Sequence, residues 1–153
     1  MRALFSLLSL ALPLALPLPL AAQDWPNLDP ALFSDLAGKP EHVEASFFLP
    51  NHADPAQATE ALGVVYEWIE GSAGSTSIAV GHFSVMQEPV SLAYLGPVSG
   101  VFGHQPRDTA FFPERIELTM TTLKDDDPRC CPSGETRYSV DRSTREAEVL
   151  WSR

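Results

Sequence analysis

From Arg115 to Thr121 the chain alternates between two chemistries without a break. Ile116, Leu118 and Met120 fall on one side, and Arg115, Glu117, Thr119 and Thr121 on the other. Only an extended strand sorts residues this way, because successive side chains of a strand point to opposite faces. One apolar face and one polar face predict an antiparallel sheet with a single side against a core. With 14 Pro and 9 Gly in 153 residues, a helical bundle is disfavoured.

The remaining pattern extends this reading. Val43–Leu49, Val64–Ile69, Ser77–Met86, Val90–Leu95 and Glu114–Leu123 predict strands, with a further short one over Val98–Phe102. Thr136–Asp141 and Arg145–Trp151 predict a hairpin turning across Arg142-Ser143-Thr144. Asp29-Pro30 predicts a helix as far as Ala37, with Asp29 as its cap and Gly38 as its stop. Asp54-Pro55-Ala56-Gln57 has the same start signature and predicts a second helix to Leu62, stopped by Gly63. The expected fold is α+β, mainly antiparallel β: a curled sheet or small sandwich with one or two short N-terminal helices.

Ahead of this domain, Met1-Arg2 supplies a positive start. Ala3–Leu20 is almost wholly apolar, and Leu20-Ala21-Ala22 is a small-residue ending. This layout predicts a signal peptide over residues 1–22, cleaved after Ala22. Pro13, Pro17 and Pro19 disfavour a membrane anchor, because each interrupts a helix. Residues 23–153 are then a single exported β-rich domain, periplasmic or secreted, with no membrane span once the leader is removed. The chain has 20 acidic and 10 basic residues and a net charge of -10, which excludes a nucleic-acid partner. The acidity is lopsided. Gln23–Pro106 contains a single base, Lys39, whereas Arg107–Arg153 contains nearly all the arginine. These arginines either pair with carboxylates across strands or form a patch for an anion.

Only two cysteines occur, Cys130 and Cys131, and they are neighbours. Their Cα atoms are about 3.8 Å apart across a trans peptide, below the usual disulfide range of roughly 4.4–6.8 Å. An ordinary loop-closing bridge is impossible. A strained vicinal ring, two reduced thiols, and pairing with another molecule remain. The segment Asp127-Pro128-Arg129-Cys130-Cys131-Pro132-Ser133, after a Thr-rich strand and before Arg137-Tyr138, resembles the C-terminal region of small exported bacterial proteins with a DPxCCPS loop, including the LppP/LprE-type lipoproteins. The resemblance spans Glu114–Val140. The lipid-attachment cysteine of the lipoproteins is missing here, and Asp125-Asp126-Asp127 stands where many relatives have Gly before Asp-Pro. The resemblance implies an exported, β-rich domain and supplies no catalytic residues.

Other chemistry is sparse. His82 and His104, with the thiols, are the candidates for a soft metal site, but no two histidines have ligand spacing. Glu70–Thr76 lacks the Lys and following helix of a phosphate loop. No G-x-S-x-G elbow occurs. The expectation is a non-enzymatic accessory or binding protein that needs no cofactor. Its partner is a small molecule, an envelope component or another protein, and its ligand or redox candidates are Asp127, Arg129, Cys130, Cys131 and Arg137. The alternative is a thiol redox or soft-metal-handling protein centred on Cys130 and Cys131.

Overall fold

The computed structural model describes residues 24–128 and 130–153. The expected leader, Gln23 and Arg129 lie outside the described residues. Helix α1 (Asp29–Leu36) and a 3-10 turn (Pro40–His42) precede eight strands. The strands are β1 (Val43–Pro50), β2 (Glu60–Trp68), β3 (Thr76–Met86), β4 (Ser91–Val98), β5 (His104–Phe111), β6 (Arg115–Thr122), β7 (Gly134–Asp141) and β8 (Ala147–Ser152). They form two four-stranded antiparallel sheets, β1-β2-β3-β4 and β5-β6-β7-β8. This is the small sandwich that the alternation predicts.

The two sheets share one apolar layer. Leu62, Val64, Tyr66 and Val80 of the first sheet pack with Ile116, Leu118, Met120, Tyr138 and Val140 of the second. Ile116, Leu118 and Met120 are each 0% exposed, so the face assigned from the sequence is the buried one. Burying such a side chain contributes roughly 1.5–3 kcal/mol. The Tyr66 hydroxyl donates to the Gly103 carbonyl (3.0 Å) and the Tyr138 hydroxyl to the Phe102 carbonyl (3.2 Å). Each tyrosine thereby fastens the connection between the sheets from inside the core.

The first sheet is buried on both faces. Leu32, Phe33 and Leu36 of α1 cover Val65 and Phe83 on its outer side. Gly63 makes room for the helix: a Cβ there would lie 2.6 Å from Leu32 Cδ2 and 2.7 Å from Phe83 Cε2. Asp29 is not the helix cap. It is the first helical residue, its N–H donates to Asn27 Oδ1 (3.0 Å), and its carboxylate receives the Ser46 hydroxyl (2.6 Å). An acidic group in the first turn still suits the helix dipole.

The second expected helix is a single turn. Asp54 Oδ1 does accept the Ala56 N–H (3.0 Å), and Gln57 Nε2 donates to Asp54 Oδ2 (2.9 Å). The chain then enters β2 at Glu60, because Ala61, Leu62, Val64 and Val65 are needed on the two buried faces of a strand. Val98–Phe102 is mostly the connection between sheets, and His104–Phe111 is a strand that the pattern does not predict.

One further contact ties the sheets. Both terminal nitrogens of Arg142, in the β7–β8 turn, donate to Glu60 at the start of β2 (2.6 Å each), and His82 Nε2 lies 3.2 Å from the same carboxylate. These groups are mostly buried, so their geometry matters more than for a surface pair. In urea unfolding, Leu118→Ala is expected to lose about 2–5 kcal/mol, and Arg115→Ala, on the wet face of the same strand, under about 1 kcal/mol. Equal losses would contradict the assignment of faces.

Candidate functional site

The segment between β6 and β7 is held by one carboxylate. Asp127 Oδ2 accepts the N–H groups of Lys124 (2.9 Å) and Ser133 (2.7 Å), and Oδ1 accepts the Ser133 hydroxyl (2.8 Å). One side chain thus joins the two ends of the loop. These bonds, led by the Lys124 amide, hold the Asp127 carboxyl below its ordinary range. Gly134 then lets β7 start close to β6, since a Cβ would lie 2.8 Å from the Thr122 carbonyl oxygen. Within the loop the Cys131 N–H donates to the Pro128 carbonyl (2.9 Å). Cys130 and Cys131 are joined as a vicinal disulfide. Of the three states open to the sequence, the structure has the ring.

This loop forms one wall of a cleft of about 540 Å³ at one end of the sandwich. Cys130 and Pro132 face it from the loop. Across it lie β1 (Glu44, Ala45, Phe47), Tyr66 of β2, Thr76 of β3, and the start of β5 (His104, Gln105). The His104 ring stacks on Tyr66, with centroids 5.5 Å apart and planes 18° apart, and Phe47 meets Tyr66 edge-on at 6.0 Å. Burial pushes the Tyr66 phenol up to about 12, so it remains a neutral hydrogen-bond donor.

Two strand irregularities shape the opening. β1 and β5 are edge strands of different sheets. The β1 register shifts between Val43 and Ala45, leaving Glu44 without a cross-strand partner. The β5 register shifts between His104 and Arg107, with Gln105 at φ 50°. Such bulges re-aim side chains and are common beside binding sites. Here both irregular residues line the cleft. Glu44, Phe47 and Gln105 are the site residues that sequence reasoning missed, whereas Tyr66 reads from the sequence as a core or pocket aromatic and here is both. No sequence motif marks the first three, and only the register brings them together.

The other sequence candidates lie elsewhere. Arg137 sits on the outer face of the second sheet, donating to Glu117 (3.1 Å), Thr119 (3.0 Å) and the Asp108 carbonyl. Arg115 shares Glu117, and Arg107 and Arg153 share Glu135. The cross-strand reading of the arginines therefore holds for Arg107, Arg137 and Arg153, whereas Arg115 pairs with Glu117 along its own strand. Hydrogen bonds led by Arg115 lower the Glu117 carboxyl, and those led by Arg153 lower that of Glu135. Arg145 packs over Gly96, its Nε buried without a hydrogen-bond partner among the described residues. The two histidine candidates do not meet: His82 is in the Glu60–Arg142 contact and His104 is in the cleft. Among the described residues no group of three or more His, Cys, Asp or Glu is placed to hold a metal, and no helix is long and apolar enough to cross a membrane. Arg129 lies outside the described residues.

Fold and site together define a class: an antiparallel β-sandwich whose end cleft is walled by a vicinal disulfide. No family model, no curated protein and no solved structure matches the chain.

The depressed carboxyls give a pH dependence. Hydrogen bonds in the β7–β8 turn, led by the Ser143 hydroxyl, hold Asp141 at about 2 against an ordinary 3.8. A carboxyl whose folded value is lowered stabilises the fold above its unfolded value, and that contribution is lost as pH falls through the folded value. Melting temperature is therefore expected to fall between about pH 4 and pH 2. Asp141→Asn should flatten part of that fall. Asp127→Asn should do the same and speed amide exchange at Ser133. An unchanged acid profile in both variants would contradict this role for the two carboxylates.

Proposed function

We propose that this chain is an exported, non-enzymatic binding protein whose ligand enters the cleft between β1, β5 and the Cys130–Cys131 loop. The observation that carries the reading is the cleft itself. Its volume, about 540 Å³, falls within the usual range for small-molecule sites, roughly 300–1,000 Å³, as do two other surface hollows of about 500 Å³ each, and the adjoining rings of Phe47, Tyr66 and His104 set it apart from them. It combines aromatic faces with a few polar groups, the usual composition of such a site. The sulfur of Cys130 is committed to the disulfide, so in this form it presents an apolar surface instead of a thiolate nucleophile. The apolar leader favours export, and an oxidising compartment suits a disulfide. The loop sequence favours a relationship with the DPxCCPS proteins.

Two measurements test this. Protein recovered from the periplasm or medium should begin at Gln23. A product that keeps Met1 and stays in the cytoplasm defeats export. For binding, an NMR screen with small aromatic and polar fragments should shift Phe47, Tyr66, His104 and Cys130 amides. Thr76→Trp, which fills the cleft, should abolish those shifts while the fold persists. Shifts confined to Arg115, Glu117 and Arg137 on the outer face would place binding elsewhere and sink the reading.

A further inference from the structure

We infer that the cleft selects a small organic cation, a compact ammonium group. This rests on the cleft being the binding site and adds the chemical class of its occupant. Three observations support it. First, Glu44 contributes the only fixed charge among the described lining residues. It is exposed, has no ion-pair or hydrogen-bond partner among the described residues, and occupies the irregular position of β1. A carboxylate aimed into a cleft by a bulge, with no role in holding the strands together, is available to a ligand. Second, the surface beside it is aromatic: Phe47 and the exposed His104 ring lying flat on Tyr66. The negative face of the Phe47 ring attracts an ammonium group without removing its charge, and His104, held flat on Tyr66, extends the contact surface beside it. Third, the opposite wall is a disulfide and a proline, Cys130 and Pro132, which offer no N–H donor of their own side chains. Such a wall suits the alkyl surface of a substituted ammonium.

The geometry requires no covalent step. Binding would be a charge-and-shape match, with Glu44 supplying attraction and His104 and Phe47 supplying faces. Gln105, the second irregular residue, presents an amide that can accept from a hydroxyl or ammonium proton.

The test uses three probes of one shape and different charge: choline, the neutral 3,3-dimethylbutan-1-ol and the anionic 3,3-dimethylbutanoate. Each is titrated into the oxidised mature protein and followed by amide NMR. Choline is expected to shift cleft amides and to bind roughly tenfold more tightly than the neutral probe. Glu44→Gln should erase most of that difference and leave the melting temperature unchanged, because Glu44 is exposed and unpaired. His104→Ala removes contact surface and leaves Glu44 in place, so it should weaken choline and the neutral probe alike. If the neutral probe binds the cleft as well as choline, charge selection is overturned while the cleft remains a binding site. If the anionic probe binds best, the inference is overturned in sign. If choline shifts only amides outside the cleft, the inference fails. In that case the fragment screen decides separately whether the cleft binds anything.

Discussion

The structure depends on one apolar layer between two sheets. Leu62, Val64 and Tyr66 from β2 meet Ile116, Leu118 and Met120 from β6 across it. Every other feature follows from which faces that layer occupies. The first sheet uses its second face to bury α1, so β2 is apolar on both sides. The second sheet leaves its other face in water, where Arg115, Arg137, Arg107 and Arg153 balance Glu117 and Glu135. Charge is therefore spent on pairing across the wet sheet. The edge strands β1 and β5, which face each other without pairing, leave the opening.

The cleft is a consequence of this arrangement plus two local departures from it. A sandwich has edges, and edges are protected by bulges, charge and covering loops. Here the loop between β6 and β7 covers one end, and the register shifts at Glu44 and Gln105 disturb both edges beside it. The described part of the covering loop is braced at its ends: Asp127 closes it with three hydrogen bonds, and Cys130–Cys131 ties adjacent residues together. A wall fixed in this way favours a preformed site, which binds without first ordering a loop.

How much of this the sequence reveals differs by element, for physical reasons. β6 and β7 are legible because each has one wet and one dry face, and the alternation records that directly; β8 pairs with β7 as the sequence predicts, but its Val149, Leu150 and Trp151 stay exposed. α1 is legible because a proline stands at its start and a glycine follows it. The helix expected over Asp54–Leu62 is misplaced because the capping contacts around Asp54 form, but a strand buried on both faces has no alternation to separate it from a helix. β5 is hidden because Pro106 and the positive φ values at Gln105 and Asp108 break its pattern. Within the site, the Cys-Cys loop and His104 stand out in the sequence. Glu44, Phe47 and Gln105 do not, since their role comes from an edge meeting an edge across the sandwich.

The account rests most heavily on the vicinal disulfide as the wall of the cleft. Intact-mass analysis of native mature protein, alkylated without reductant, addresses it directly. The account predicts a monomer two hydrogens lighter than the reduced chain, with no alkyl group added and a peptide in which Cys130 and Cys131 are linked to each other. Two alkylated cysteines in the native protein, or a disulfide-linked dimer, would contradict it.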